Sequence, residues 1–494
     1  MFPRGRPIQR LIALTIFLIF LVVGSRRILW GSSTALPRRL SPGGIPNFEG
    51  QVRFWNNLRR LLESNPPGTD APKRLKKTED VLFNPNADSS RADLLYIADS
   101  DVRRIQKAHE KVVRKINAEN SGLDLVYNEG KRGIISSSGK KYFSTLLISL
   151  RMLRRTGSNL PMEVFLASKE EYEFSVCRKI LPKLNARCIV LSDILGNDAV
   201  SHLQSYQLKP FAMLFSSFEE LLWLDADCFP LHDPIELLQS KPFTDFGLVT
   251  WPDFWASSAS PLFYDITSQL APRLSERAST EGGQLLISKR THAKTLLLAS
   301  YYNYYGPTHY YRLLSQGGMG EGDKETYLAA ATALHQPFYA VNQPVRSMGH
   351  VNANGDMTGY AMVQYSPIED YRLTSMGLYG LKDADALENT ETPRPFFVHP
   401  SHPKIDPVDI FNRNDANSPI RGVDGKPSRA WLMERETVES LGRDVEREFW
   451  MEVLWAACKL EEVKFKPWKG IEGTCKKALV HLNEAFYGKG SDGG

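Results

Sequence analysis

Residues 221–234 read LLWLDADCFPLHDP, an apolar run that ends directly in two aspartates separated by one residue. In an extended chain, residues i and i+2 project to the same face, so Asp225 and Asp227 can approach one cation together. Their place at the end of an apolar strand argues against ordinary solvated surface charge. Turn aspartates that cap the next segment are the alternative interpretation. The stretch therefore indicates both a buried strand and a candidate metal site.

The segments around this stretch alternate between two periodicities. Short apolar strands are predicted from residue 132, at 162–166, at 188–191 and at 220–224, with helical patterns at 142–155, 170–181 and 206–218 between them. Strands that alternate with helices of this length predict βαβ crossovers and a mostly parallel sheet. The fold class is therefore α/β, and ligands should bind at the carboxyl ends of the strands. Neither G-x-G-x-x-G nor G-x-x-x-x-G-K-[ST] occurs, so neither a dinucleotide cofactor nor a P-loop is indicated.

Composition narrows the class of protein. The chain has 494 residues, of which 42% are hydrophobic and 24% charged, which excludes a disordered chain, a collagen-like repeat and a polytopic membrane protein. Its 61 basic and 56 acidic residues are mixed along the sequence, so nucleic acid is not expected as a partner. The five cysteines are too scattered for a zinc framework, but Cys177 with Cys188 and Cys458 with Cys475 are candidate disulfides in a lumenal compartment.

The amino terminus carries an apolar run, LIALTIFLIFLVV, at residues 11–23 between basic flanks. Its length also suits a cleaved signal peptide, but two arginines after the run favour an uncleaved anchor. The excess of arginines before the run places the amino terminus in the cytosol and the remainder of the chain in the lumen. The predicted segments are a cytosolic tail (1–10), a signal-anchor transmembrane segment (11–30), a Pro/Ser/Gly-rich stem (31–75), a helical extension (76–130), a catalytic domain (131–410) and a carboxyl-terminal helical extension (411–494).

The aspartate pair suits one kind of chemistry. A diphosphate leaving group carries negative charge that must be neutralised as the bond to it breaks. A divalent ion held by hard carboxylate oxygens neutralises that charge as a Lewis acid. Asp225 and Asp227 therefore predict a metal-dependent transfer from a diphosphate-linked substrate.

Seven segments resemble the fungal α-mannosyltransferase family that builds mannoprotein outer chains, glycosyltransferase family 71. They are RGIISSSG (132–139), YQLKPFAM (206–213), LDADCFP (224–230), VTWPDFW (249–255), TEGGQLLISKR (280–290), GDKETY (322–327) and HPSHPKIDP (399–407). The resemblance implies a GT-A-like, Rossmann-type nucleotide-diphospho-sugar transferase behind a single N-terminal membrane anchor. It also implies transfer of mannose from GDP-mannose to α-mannosides with retention of configuration, a manganese ion, and a type II Golgi membrane protein that can join a Golgi glycosyltransferase complex.

The resemblance also assigns roles to residues. The metal ligands are expected to be Asp225, Asp227 and a histidine from a late loop, for which His399 is preferred over His402. The residues expected to bind the sugar donor are Asp225, Asp227, Lys209, Arg132, Gly133, Gly283 and Gln284. Those expected to bind the acceptor are Trp251, Asp253 and Glu281, and those expected to be catalytic are Asp323 and Glu325. Retention allows either a carboxylate nucleophile or attack from the front face assisted by the departing phosphate.

Two other functions fit the same residues. One is a transferase of the same fold that uses a UDP-sugar, galactose or glucose, because guanine and uracil cannot be told apart around residues 132–140. The other is an inactive carbohydrate-binding homologue, against which the intact D-x-D pair and the GDKE segment argue. Within the mannosyltransferase interpretation, the sequence favours an α-1,2 over an α-1,3 linkage.

Overall fold

The computed structural model describes residues 45–87, 90–203, 205–352, 354–378, 391–412 and 418–488. The predicted cytosolic tail, the predicted signal anchor and the first part of the predicted stem lie outside these residues. Within the described ranges, no helix combines the length and the apolar character that a membrane crossing requires. Described residues from Asn47 onward belong to one folded unit.

The strands and helices follow the predicted alternation except between β4 and β5. There the helix predicted at 170–181 is replaced by short 3-10 (Lys169–Glu171, Leu181–Leu184) and π (Ser175–Ile180) turns. The strands are β1 (Lys73–Arg74), β2 (Leu95–Tyr96), β3 (Asn128–Ser137), β4 (Met162–Leu166), β5 (Ala186–Val190), β6 (Phe218–Leu224), β7 (Phe229–Pro230), β8 (Leu248–Ala256), β9 (Ala278–Ser288), β10 (Tyr339–Ala340), β11 (Arg346–Val351), β12 (Met357–Tyr365) and β13 (Pro395–His402). The α-helices are α1 (Phe48–Glu63), α2 (Asp99–Asn117), α3 (Phe143–Arg155), α4 (Leu191–Leu195), α5 (Asn197–Ser201), α6 (Leu208–Phe215), α7 (Ile235–Gln239), α8 (Phe243–Phe246), α9 (Pro261–Thr267), α10 (Lys289–Tyr304), α11 (Tyr311–Ser315), α12 (Thr326–Ala333), α13 (Pro367–Ser375), α14 (Pro407–Asn412), α15 (Arg435–Ser440), α16 (Val445–Glu462) and α17 (Thr474–Phe486).

A mostly parallel central sheet confirms the predicted fold class. Its seven strands lie in the order β10-β8-β9-β6-β3-β4-β5. Only β9 runs antiparallel to its neighbours β6 and β8, and the remaining neighbours pair in parallel. The carboxyl ends of β6 and β8 therefore lie at the same edge of the sheet, and β9 enters the sheet from that edge.

A second, antiparallel sheet brings a distant segment to this edge. Its strands lie in the order β11-β12-β13-β7. Strand β7 starts two residues after Asp227 and pairs Phe229 with Val398 of β13. Because Val398 directly precedes His399, this pairing carries the histidine to the aspartates over 172 residues of sequence.

The prediction of a stem at residues 31–75 is wrong for residues 48–63. Residues 48–63 form α1, whose Trp55 is 2% exposed and donates its indole N–H to the Leu195 carbonyl at 3.0 Å. Phe54 packs edge-to-face on Phe215, with 5.6 Å between ring centroids. This helix carries an apolar stripe with helical spacing. The Pro- and Ser-rich sequence on both sides of it led instead to the prediction of a stem.

The carboxyl-terminal extension is helical, as predicted, and contains α15, α16 and α17; α16 and α17 pack against the second sheet. Gly442, whose φ of 69° is left-handed, separates α15 from α16. Asp444 caps the start of α16, and its side chain accepts the Arg447 amide. The disulfide Cys458–Cys475 links α16 to α17, and Cys177–Cys188 closes the second predicted pair.

Candidate active site

Asp225 and Asp227 occupy the turn after β6, at the carboxyl edge of the central sheet. The Asp225 amide donates to the Gly283 carbonyl at 2.8 Å, which ties the turn to β9. The Trp223 indole donates to Asp225 Oδ1 at 2.7 Å, and Asp227 is only 3% exposed. Both carboxylates are therefore held by the fold, and the turn-cap alternative does not describe them.

His399 completes a three-residue cluster. One oxygen of Asp225, one of Asp227 and one ring nitrogen of His399 all lie within 4.8 Å of one another. His399 Nε2 lies 3.2 Å from Asp227 Oδ1, and Nδ1 lies 3.2 Å from Glu281 Oε1. His402 is exposed at the end of β13, so the geometry favours His399 of the two predicted histidines.

This donor set suits a divalent cation. Two carboxylate oxygens and one imidazole nitrogen are ligands that manganese and similar ions accept. Burial disfavours the charged forms, but the mutual attraction between His399 and Asp227 outweighs it, raising the pKa of His399 and lowering that of Asp227. Protonated His399 thus supplies a positive charge among the carboxylates of Asp225, Asp227 and Glu281. A bound metal requires neutral imidazole, so its binding would release this proton.

Lys404 is a site residue to which the sequence assigned no role. Its Nζ lies 2.5 Å from Asp227 Oδ2, while 55% of its side chain remains exposed. It is the only lysine within the HPSHPKIDP segment. A basic residue five positions after the metal-ligand candidate was the signal that could have identified it.

Lys209, predicted to contact a phosphate of the donor, is buried and bound to groups of the protein itself. Its Nζ donates to the Gly282 carbonyl at 2.8 Å and lies 3.2 Å from both Asp225 and Asp323. These partners occupy the three N–H groups of the ammonium. Burial opposes its charge, but the two carboxylates prevail and raise its pKa.

The two predicted catalytic carboxylates separate in the structure. Asp323 is buried within the site, where its Oδ2 is 3.3 Å from the Tyr327 hydroxyl, and its burial raises its pKa against the attraction of Lys209. Glu325 faces the start of β9 instead, accepting the Thr280 amide at 2.5 Å and lying 3.5 Å from Arg277. Glu325 therefore secures a loop and is not placed for catalysis.

The TEGGQ segment lies at the site, but its contacts are with other residues of the site: Glu281, predicted to bind the acceptor, contacts His399. A Cβ on Gly283 would lie 2.5 Å from His399 Nδ1, so only glycine leaves room for the imidazole. The Gly283 amide also donates to Glu281 Oε1 at 2.7 Å. Gln284 is fully buried beneath the turn and accepts from the Cys228 thiol at 3.4 Å.

Two other residues that were predicted to bind the sugar donor, Arg132 and Gly133, lie elsewhere. Arg132 and Gly133 sit beside Glu220 and Leu221 in the register of β3 and β6. Glu220 precedes Asp225 by five residues, a separation of about 16 Å along a strand. Arg132 pairs with Glu220, and a Cβ on Gly133 would meet a phenylalanine ring at 2.3 Å, so the structure places both residues in the sheet, away from the aspartate pair.

Trp251 was predicted to bind the acceptor, but it is a core residue. It is 1% exposed, donates its indole N–H to the Tyr365 carbonyl at 2.9 Å and packs edge-to-face on Phe397. Asp253, two residues later, lies at the sheet edge and pairs with Lys324 at 2.7 Å.

Comparisons with known proteins agree with this geometry. Residues 131–278 and 273–368 match the family described as "Mannosyltransferase putative". The chain is 32% identical over 515 residues to alpha-1,2-mannosyltransferase MNN21 of Candida albicans, covering 90% of this chain and 76% of that relative. It is 34% identical to MNN24 of the same organism, covering 74% of this chain and 60% of MNN24. For MNN2 of Saccharomyces cerevisiae the identity is 32%, with coverage of 68% and 66%.

Two solved structures show a remote similarity. The glycosyltransferase GlyE of Streptococcus pneumoniae aligns with a TM-score of 0.33 at 12% identity, over 67% of this chain and 64% of GlyE. The galactosyltransferase LgtC, solved with donor and acceptor sugar analogs, aligns with a TM-score of 0.32 at 13% identity, over 64% of this chain and 99% of LgtC.

The family match and the curated relatives place the chain in a class of proteins named mannosyltransferases. The chain belongs to the fungal alpha-1,2-mannosyltransferase family, although it spans only 60% of the length of MNN24.

Proposed function

We propose that this protein transfers mannose from GDP-mannose to α-mannoside acceptors on glycoprotein or cell-wall mannan, with retention of configuration and an α-1,2 linkage. The observation that carries the proposal is the cluster of Asp225, Asp227 and His399 at the carboxyl edge of the sheet, in a member of this family. The names of the relatives favour the α-1,2 linkage.

A divalent cation, manganese in our proposal, would be held by Asp225, Asp227 and His399. When bound, it would neutralise the diphosphate as the bond to the sugar breaks. The fit of these residues is supported by Glu281 Oε2, a buried carboxylate oxygen without a hydrogen-bond partner among the described residues. That oxygen adds negative charge beside His399, which favours a cation in the cluster.

Lys404 and Asp323 have different parts in this proposal. Lys404, half exposed beside Asp227, is placed to contact the phosphates of the sugar donor. Asp323 Oδ2 is engaged both by Lys209 and by the Tyr327 hydroxyl, which suits a carboxylate that holds its neighbours in position. We therefore favour front-face attack assisted by the departing phosphate, with Asp323 as a positioning residue.

We further propose the cellular setting that the sequence predicts. Residues 11–30 would anchor the protein in the Golgi membrane as a single-pass type II protein with a lumenal catalytic domain. The two disulfides support an oxidising compartment.

The test is transfer by the full chain, solubilised in detergent, from GDP-mannose to methyl α-mannoside. Reactions would contain manganese or EDTA, and wild type would be compared with Asp227→Ala. Asp245→Ala is the control, because Asp245 makes a surface ion pair with Lys241 at 3.0 Å. We expect transfer that EDTA and Asp227→Ala abolish and Asp245→Ala preserves.

The same panel tests the two alternatives. UDP-galactose and UDP-glucose replace GDP-mannose in parallel reactions, and hydrolysis of each sugar donor is followed without acceptor. Activity with a UDP-sugar and none with GDP-mannose would indicate a transferase that uses UDP-sugars. Folded protein that neither transfers nor hydrolyses any donor would indicate the inactive carbohydrate-binding homologue.

A further inference from the structure

Glu281 contacts the side of His399 that faces away from the aspartate pair. Its Oε1 lies 3.2 Å from His399 Nδ1, while Nε2 of the same ring lies 3.2 Å from Asp227 Oδ1. The imidazole is therefore held between two carboxylates, one at each ring nitrogen. Of the two nitrogens, Nε2 is the one directed at the candidate cation ligand Asp227.

The carboxylate of Glu281 is itself fixed by the backbone. Its Oε1 accepts the Gly283 amide at 2.7 Å. The residue is 6% exposed, and it lies opposite Trp251 in the register of β8 and β9. A side chain held in this way offers its oxygen to the imidazole in one place. The absence of a side chain at Gly283 leaves the ring room to reach that oxygen.

Glu281 is poorly placed to bind the acceptor, the role that the sequence predicted for it. Its Oε1 is engaged by the Gly283 amide and the His399 ring, and its Oε2 is buried without a hydrogen-bond partner among the described residues. The contacts of this carboxylate are therefore with the protein, and the closest functional group that they reach is the imidazole.

The nearest cavity does not change this conclusion. Residues 278–280, which precede Glu281 on β9, line a separate cavity of about 260 Å³, and the described residues that line it do not include Glu281. One wall of that cavity contains Phe83 of the N-terminal extension, whose amide donates to the Phe254 carbonyl at 2.8 Å. A molecule bound in this cavity would not meet the Glu281 carboxylate.

A carboxylate behind a histidine determines how the ring can bind a cation. A neutral imidazole has one N–H donor and one acceptor nitrogen. A carboxylate that accepts the hydrogen of one nitrogen leaves the lone pair on the other and fixes the orientation of the ring. Such partners are usual behind metal-binding histidines, and losing one costs about 10- to 100-fold in metal affinity.

The geometry points to Glu281 as the positioning residue of His399. Its Oε1 accepts the Nδ1 hydrogen, and Nε2 is thereby held as the ligand that joins Asp225 and Asp227 around a divalent cation. Glu281 acts through the histidine and contacts neither the cation nor the sugars. This inference rests on the proposed function, because it deepens the cation site of that reaction.

A double-mutant cycle in the full chain, solubilised in detergent, tests this role. EPR measures the manganese dissociation constant, without sugar donor or acceptor, for wild type, Glu281→Ala, His399→Ala and the double variant. Glu281→Gln is included because it keeps an oxygen for the Gly283 amide and the imidazole. Glu219→Gln is the matched control, since Glu219 is 4% exposed and accepts the Gly130 amide at 2.6 Å near the start of β6.

We expect Glu281→Ala to weaken manganese binding about 10- to 100-fold, and Glu281→Gln to weaken it less because an amide oxygen still accepts the Nδ1 hydrogen. In the His399→Ala background, Glu281→Ala should change the dissociation constant by about twofold or less, since the two residues act as one unit. Glu219→Gln should bind manganese as wild type does. At equal loading, pulsed EPR should detect less imidazole nitrogen on manganese in Glu281→Ala than in wild type.

Unchanged manganese binding by Glu281→Ala and Glu281→Gln would overturn the role. Equal losses with and without the His399 imidazole would also overturn it, because Glu281 would then act on the cation directly. Should Glu281→Ala fail to fold, judged by its melting temperature, Glu281→Gln in both backgrounds decides in its place. The first two results leave the proposed function intact, whereas a wild type that binds no manganese refutes the cation site and this inference together.

Discussion

The absence of a side chain at Gly283 leaves room for His399 in the candidate metal cluster. A Cβ at this position would lie 2.5 Å from His399 Nδ1, whereas at Gly282 its nearest neighbours would be 3.4 Å away. We expect Gly283→Ala to displace the imidazole and weaken manganese binding about 10- to 100-fold, the range seen when ligand support is lost. Titration of transfer activity with manganese measures this, with Gly282→Ala as the control.

Wild-type manganese dependence in Gly283→Ala would show that His399 has another position available. Such a result would remove the imidazole from the proposed ligand set and leave the two aspartates.

Lys209 allows a second prediction at the same scale. Its ammonium neutralises the buried carboxylate of Asp323 and the partly buried one of Asp225. Removing one partner of a buried ion pair costs about 3–5 kcal/mol, because an uncompensated charge remains. We expect Lys209→Met to lower the free energy of unfolding by that amount, measured by urea denaturation.

The matched control is Lys241→Met, at an ion pair with Asp245 whose lysine side chain is 63% exposed. Exposed pairs contribute about 0–1 kcal/mol. Equal losses in the two variants would contradict the role of Lys209 as a buried cross-link.

At the scale of elements, Lys289 joins the start of α10 to the end of α6. Its Nζ donates to the carbonyls of Leu214 at 2.8 Å and Ser216 at 2.6 Å. Burial lowers the pKa of Lys289 to about 7. The unfolded chain, with an ordinary lysine pKa near 10.5, therefore binds more protons above pH 7, and the contribution of Lys289 to stability increases as pH rises from 7 toward 10.5.

We expect Lys289→Met to lose this increase. Between pH 7 and 9, the free energy of unfolding of wild type should rise more steeply than that of the variant, by up to about 1.4 kcal/mol per pH unit. Lys294→Met, at an exposed position of the same helix, should retain the wild-type slope. Parallel slopes in all three proteins would mean that Lys289 is charged throughout this range.

The elements that could be predicted from the sequence are those with one dominant periodicity. Strand β4 occurs with the predicted bounds and α3 starts one residue later than predicted, since an apolar run and an apolar stripe leave little choice of structure. Helix α1 was missed because its stripe lies inside a Pro- and Ser-rich composition.

The site could be predicted only in part. The D-x-D pair and the GGQ segment could be recognised from their residue types and spacing in the sequence alone. By contrast, His399 could be preferred to His402 only on the pairing of β7 with β13. The distance of Arg132 from the aspartate pair follows from the pairing of β3 with β6. Lysine is a residue type that binds phosphate, but in the folded protein Lys209 pairs with the carboxylates of Asp225 and Asp323.

At the scale of the whole molecule, α1 is part of the catalytic body. Two of its residues, Phe54 and Trp55, pack against Phe215 beneath the central sheet. Burying each such side chain contributes about 1.5–3 kcal/mol. A chain that starts at residue 79 loses several of them, together with the ion pair of Arg74 with Glu321 at 2.5 Å.

We therefore expect a chain starting at residue 47 to be soluble and to unfold cooperatively, and one starting at residue 79 to aggregate. Size-exclusion chromatography and thermal denaturation distinguish the two. Equal melting temperatures would show that α1 is dispensable for folding.

The position of Phe83 outside the central sheet has a consequence for how such enzymes diversify. The cation cluster is encoded by the turn after β6, by β9 and by β13, whereas one wall of the neighbouring cavity is encoded by a segment far upstream. After gene duplication, substitutions near residue 83 can reshape that cavity without changing the residues of the cation cluster. The fold thereby separates what a paralogue must retain from what it is free to change.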